Sequence, residues 1–151
     1  RSTLFPYTTL FRSSYGNLIV TKGMFGWPAT CSTISSPFGY RWGYLHNGTD
    51  IAGCGYGSNI FSVESGVVTE VRYRSLDGQY IVIKHDNGYY SLYGHLCMGC
   101  TYVKEGDRVT RGQPIGGMGQ TGAATGVHVH YSIFTGPPYS GGTAINPMMF
   151  Y

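Results

Sequence analysis

The sequence predicts an all-β domain, an antiparallel β-sheet or sandwich of short strands with little helix. Three observations carry that expectation. The 151 residues include 24 glycines and 14 tyrosines, a turn-rich, aromatic composition that suits many short strands. Only 11% of the residues are charged, which suits neither a set of solvated helices nor a disordered chain. Apolar residues alternate with polar ones at period two, and Ser65-Gly66, Asp77-Gly78 and Asn87-Gly88 punctuate the alternation as turns. The length is one domain's worth, enough to bury a core without help from metal or disulfide.

Residues 1–13 resemble the in-frame translation of a common sequencing-library adapter and are set aside as non-native. The natural N-terminus is therefore expected to lie outside this sequence, and no signal peptide is observable. Without Arg1 and Arg12, eight basic residues face seven acidic ones, and the formal charge of +3 falls to +1. No Lys/Arg cluster remains on any expected face, so charge supplies no argument for nucleic acid or an anionic membrane. No stretch is long and apolar enough to span a bilayer.

Residues 14–30 read as a lead-in segment that packs aromatic side chains, punctuated by Gly23, Gly26 and Trp27-Pro28. The domain proper is expected over 31–151. Residues 34–41 form a short strand running into a Pro/Gly turn, followed by a loop with Trp42, Tyr44 and Leu45 that delivers His46. His46 and Asp50 have helical i, i+4 spacing, but Asn47-Gly48 between them is a turn dipeptide. A loop entering a strand at Asp50–Ala52 fits better, with His46 and Asp50 converging through the turn. Strands are then expected over 59–63, 66–73, 80–85 and 88–96 as a β-meander, the last ending at His95.

Residues 97–101 read as a loop, and 102–116 as short strands with Gly-Asp and Gly-Gln turns, the pattern of a barrel corner. The glycine-rich stretch 117–126, with Thr121 and Thr125, lacks the Gly-Lys-Ser/Thr of a phosphate cradle and reads as a flexible loop. In Gly126–Ile133, period two places Val127, Val129, Tyr131 and Ile133 on one face. His128, His130 and Ser132 share the other. Asn146-Pro147 begins the closing segment.

Cys31, Cys54, Cys97 and Cys100 make an even count, which points to disulfides and an oxidising compartment, with three pairings open. Cys97-Met98-Gly99-Cys100 has neither the second cysteine pair of a zinc ribbon nor the following helix of a redox motif, so a local or cross-loop disulfide is expected. Of the five histidines, His85 is expected to be a surface turn residue without a role. His46, His95, His128 and His130 sit at strand ends, in loops or on one strand face. A catalytic zinc site takes three protein ligands and keeps a fourth position for water, which leaves one imidazole for proton transfer.

Six motifs, in order, carry a resemblance: Ser36-Pro37-Phe38-Gly39-Tyr40-Arg41; His46-x-x-x-Asp50; Tyr93-x-His95-Leu96; Gly106-Asp107-x-Val109-x-x-Gly112-Gln113-x-Ile115-Gly116; Thr121-Gly122-x-x-Thr125-Gly126; and His128-x-His130. Together they resemble the lysostaphin-like zinc endopeptidases, the M23 or LytM-type peptidoglycan hydrolases, over residues 31–151. The resemblance implies a lysostaphin-like sheet of the duplicated hybrid-motif type. It implies zinc held by His46, Asp50 and His130, with His95 and His128 lining the cleft as general base or transition-state stabiliser. Zinc in such a site brings a water's pKa to about 7 and polarises the scissile carbonyl. Tyr40 or Tyr44 would add a hydrogen bond or an aromatic wall.

The implied substrate is the peptide part of bacterial peptidoglycan, stem or cross-bridge. The implied protein is a secreted or cell-wall-associated, bacteriolytic monomer. Two departures, the Cys97–Cys100 loop beside His95 and Cys54 after the Asp50 strand, affect loop shape and leave the motif residues intact. Two other readings are weighed. A catalytically inactive LytM-type module that binds cell wall or activates an amidase typically lacks a ligand, whereas all five positions are filled here. A hybrid-motif phosphocarrier needs no carboxylate ligand, so Asp50 argues against it.

Overall fold

The computed structural model describes residues 11–12 and 19–151. The adapter-like segment and Tyr15 of the lead-in therefore lie largely outside the described residues. Fourteen strands follow one another: β1 (Phe11–Arg12), β2 (Ile19–Val20), β3 (Thr33–Ser36), β4 (Gly39–Arg41), β5 (Tyr44–His46), β6 (Thr49–Ala52), β7 (Asn59–Phe61), β8 (Gly66–Arg74), β9 (Gly78–His85), β10 (Tyr90–Thr101), β11 (Arg108–Val109), β12 (Pro114–Met118), β13 (His128–Phe134) and β14 (Ala144–Ile145). The one helical turn among the described residues is a 3-10 helix at Pro147–Phe150. Asn146 caps it by accepting from the Met148 N–H, and Pro147 supplies a preset φ at its start. The all-β, antiparallel expectation holds.

The principal sheet has ten strands in the order β11-β8-β9-β10-β13-β6-β3, with β12 pairing β10 and β7, and β14 pairing β13. The β8-β9-β10 meander is as expected from its turn dipeptides. Beyond β10 the strand order is no longer sequential: β13 returns between β10 and β6, so it is a central strand and not an edge. The expected loop at 97–101 is instead the continuation of β10. That 12-residue strand pairs β9 and β13 and, at Leu96 and Thr101 on either side of an irregularity, β12.

Period two divides the sheet into two chemically different faces. Ile51, Ile81, Ile83, Tyr93, Val129, Tyr131 and Ile133 turn into the main core with Ile60, Val109, Ile115 and Phe150. Phe25, and Trp27 at its margin, pack on the same core. The other face carries a smaller cluster of Tyr80, Val82, Leu92 and Phe134. Phe134 shares strand parity with His128, His130 and Ser132, so the histidines lie on this second face, rooted in a fully packed strand. The disulfides are Cys31–Cys54 and Cys97–Cys100, one cross-loop and one local.

His85 corrects the sequence reading. It is 2% exposed, with Nε2 2.7 Å from Ser91 Oγ and Nδ1 3.3 Å from the Ser65 carbonyl. Ser91 Oγ in turn donates to Tyr93 Oη, which accepts from the Val63 N–H. A polar side chain at a strand end is expected to reach solvent; here its hydrogen bonds are satisfied inside the protein.

Candidate metal centre

One hairpin, the Asn47-Gly48 bend and one central strand bring the site residues together. β4 and β5 form a separate two-stranded hairpin whose last residue is His46, so His46 arrives on a strand and not on the expected loop. Asn47-Gly48 then reverses the chain into β6. A Cβ on Gly48 would overlap Ser132 Oγ and come within 2.8 Å of His130 Cε1, so glycine is required for the turn to close over β13. Asp50 on β6 pairs directly with His130 on β13, and His130 pairs on its other side with Gly94 on β10.

The donor atoms of His46, Asp50 and His130 lie within 4.8 Å of one another. His46 Nδ1–H donates to the Pro37 carbonyl at 2.8 Å, which leaves Nε2 as the free lone pair, 3.3 Å from Asp50 Oδ1. His130 is turned the other way: Nε2 is held by Asn47 Oδ1 and Ser132 Oγ, each at 3.0 Å, and Nδ1 faces Asp50 Oδ1 at 2.9 Å. Two imidazole nitrogens and a carboxylate oxygen therefore converge as electron-pair donors, an arrangement that only a shared cation, proton or metal, relieves. Each imidazole is oriented by a hydrogen bond at its far nitrogen, as metal-binding histidines are. The donor set fits a divalent metal.

A proton shared at that point makes hydrogen-bond donors of the same nitrogens. Burial alone would raise the Asp50 carboxyl, but hydrogen bonds from His130 and His46 hold it well below the ordinary carboxylate range. The hydrogen bond to Asp50 raises His46.

His95 and His128 stand beside this group, their rings 4.7 Å apart between centroids. Each donates Nδ1–H to a backbone carbonyl, His95 to Thr121 at 2.8 Å and His128 to Gly126 at 2.9 Å, so both turn Nε2 toward the site. Burial pushes His95 down, toward the neutral imidazole. His95 also takes φ 61, the left-handed region that L residues rarely adopt. Its N–H is held at 2.7 Å by the Asp77 carbonyl. All five residues line one cleft of about 1200 Å³, together with Tyr44, Trp42 and Tyr139. Tyr40 is exposed and does not line it.

The profile of Peptidase family M23 matches residues 44–147. The chain belongs to peptidase family M23. It is 41% identical over 104 residues to the peptidoglycan DD-endopeptidase ShyA of Vibrio cholerae serotype O1, covering 68% of this chain and 24% of that protein. The catalytic domain of the prophage-encoded M23 protein EnpA from Enterococcus faecalis is similar at 32% identity and a TM-score of 0.69, over 81% of this chain and 95% of that one. The catalytic domain of lysostaphin from Staphylococcus simulans is similar at 27% identity and a TM-score of 0.65, over 82% and 88%. The chain thus spans about a quarter of its curated relative and nearly all of the isolated catalytic domains.

Within this M23 domain, several residues that support the site carry no mark of that role in the sequence. Asn47 reads only as a turn former, yet its side chain orients His130. Ser132 does the same, and its place on the histidine face of the strand is the available signal. Thr121 lies in a loop expected to be flexible, but its hydroxyl bridges the Leu96 carbonyl and the Gln79 N–H while its carbonyl fixes His95. Gly78 and Gly122 pack directly against each other beneath it. Asp77 reads as half of a turn, and its carbonyl is what holds the His95 backbone.

Proposed function

We propose that this chain is a zinc-dependent endopeptidase that hydrolyses amide bonds in the peptide stem or cross-bridge of bacterial peptidoglycan. The observation that carries the reading is the convergence of His46 Nε2, Asp50 Oδ1 and His130 Nδ1 at the floor of a cleft flanked by His95 and His128. Membership of family M23 and the likeness to a peptidoglycan DD-endopeptidase support it.

His46, Asp50 and His130 are the zinc ligands. Zinc there supplies a Lewis acid that polarises an amide carbonyl and brings the pKa of a water to about 7. Asp50 keeps the net charge of the site below that of three imidazoles. His95 and His128, with Nδ1 committed to backbone carbonyls, present Nε2 for proton work. One accepts the proton of the attacking water. The other steadies the developing oxyanion, and a proton returns to the leaving amine. An extended peptide fits the open cleft, and the aromatic side chains at its rim supply apolar contact.

The two disulfides support a secreted or wall-associated location, and a monomer is the assumed working form. The inactive-module reading gains no support, because all five positions are filled and mutually oriented. The phosphocarrier reading leaves Asp50 without purpose. The reading is tested by metal analysis of the purified chain alongside clearing of a cell-wall suspension. Bound zinc with clearing abolished by chelator is expected. Metal-free protein that clears walls equally well would overturn it.

A further inference from the structure

The cleft holds a second polar feature that the hydrolytic machinery does not use. Among the described residues, Arg72, Arg108 and Arg111 lie outside the cleft, and each pairs with a carboxylate: Arg72 with Glu70 and Glu105, Arg108 with Asp86, Arg111 with Glu64. Arg41 and Arg74 line the cleft, and among the described residues neither has a carboxylate at ion-pair distance. Arg41 donates to Ser36 Oγ. Arg74 spends only Nε, at 3.3 Å from Tyr80 Oη, and both of its terminal nitrogens remain open.

Arg74 is exposed, and two contacts orient it. Its guanidinium lies 3.7 Å over the Tyr139 ring. That ring is packed edge-on against Tyr80, with centroids 6.2 Å apart, and its hydroxyl donates to Asp77 Oδ2. Tyr139 reaches this position with φ 64, a left-handed backbone that a tyrosine adopts only when its surroundings impose it. Asp77 accepts from the Tyr139 hydroxyl and acts on Arg74 through space, at more than ion-pair distance. A planar guanidinium oriented before binding matches the two oxygens of a carboxylate and loses less freedom than an unstacked one when it takes one.

The position of this fork relates it to a bound peptide. Tyr80 on β9 lies opposite the Gly94–His95 irregularity of β10, Gly94 pairs with His130, and His130 pairs with Asp50. Three strand spacings of about 4.8 Å separate Tyr80 from Asp50, roughly 14 Å along one row of the sheet. That is about four residues of extended peptide. The Asp77 turn connects the two ends, because its side chain holds Tyr139 and its carbonyl holds His95.

We propose that Arg74, stacked on Tyr139, forms a subsite for a free carboxylate on a non-reacting part of the substrate peptide, and so selects carboxylate-bearing peptides over neutral ones. This rests on the peptidase reading and narrows its substrate. Arg41 adds positive potential to the same cleft.

The test uses two synthetic cross-linked stem peptides, one with free side-chain and terminal carboxylates and one with these converted to carboxamides. Binding is measured by calorimetry on the zinc-loaded chain, and cleavage is followed separately by chromatography. The free-carboxylate peptide should bind about tenfold tighter to wild type, the scale of one charge-assisted contact. Arg74→Gln should bring it to the affinity of the carboxamide, and Arg74→Lys, which keeps the charge without the fork, should recover part of the difference. Equal affinity of wild type for the two peptides, binding of neither, or an Arg74→Gln loss equal for both would overturn the subsite. Carboxylate-dependent binding without cleavage of either peptide would instead contradict the peptidase reading and leave the subsite standing.

Discussion

His130 Nδ1 lies 2.9 Å from Asp50 Oδ1, between residues that are direct partners on the neighbouring strands β13 and β6. Strand pairing fixes this contact, and Asn47 and Ser132 fix the imidazole from behind. Residues 80 positions apart are thereby held with the precision of a sheet register, which is the tolerance a metal centre demands.

The two histidines of β13 should separate cleanly by mutation. His130→Ala removes a proposed ligand, so bound zinc and activity should both be lost. His128→Ala should keep zinc while cleavage falls by about 10²- to 10⁴-fold, the usual contribution of a positioned acid-base group. Metal analysis beside a rate assay checks both; zinc lost in His128→Ala and kept in His130→Ala would mean the roles are exchanged.

Gly48→Ala should damage the site while leaving the His46, Asp50 and His130 side chains themselves unaltered. The added methyl overlaps Ser132 Oγ and crowds His130 Cε1, so the turn must move, at about 1–3 kcal/mol for an overpacked position. Weaker zinc binding and a lower unfolding temperature are the expected results. A variant with wild-type zinc affinity would show that the turn is free to relax.

His85 gives the fold a pH dependence of definite sign. Burial pushes its pKa down from the ordinary 6.5 to about 4, so the folded state resists protonation while the unfolded chain accepts it. Stability is therefore full above pH 6.5 and falls as the pH drops from there toward 4, by about 2 kcal/mol between pH 7 and pH 5. Urea unfolding of wild type and His85→Gln at both pH values checks this: the mutant should have a flatter profile, and parallel profiles would contradict it.

The disulfides should contribute unequally. Cys31–Cys54 closes a sequence separation of 23 and Cys97–Cys100 one of 3. Chain-entropy reasoning gives about 3 kcal/mol for the first and roughly half that for the second. Paired Cys→Ser variants, unfolded in urea, should rank in that order.

Local chemistry makes much of this molecule legible. The alternation in 127–133 assigns the faces of β13 correctly, and Asn47-Gly48 predicts the convergence of His46 and Asp50. The dipeptides at 65, 77 and 87 mark the turns of the β8-β9-β10 meander. The hidden part is non-local. Nothing in the residues of β13 states that it will lie between β10 and β6, because that choice is made by packing of the whole sheet. Thr121 looks like part of a flexible loop because its hydroxyl partners are 25 and 42 residues away. His85 looks solvated because the groups that satisfy it, Ser65 and Ser91, belong to other segments.

The central claim, that the His46-Asp50-His130 group supports amide hydrolysis through a bound metal, is tested most directly by the release of free amino groups from purified peptidoglycan. The zinc-loaded chain should release them, the chelated chain should not, and returning zinc should restore release. Release that is indifferent to chelation, or none from fully zinc-loaded protein, would contradict the account.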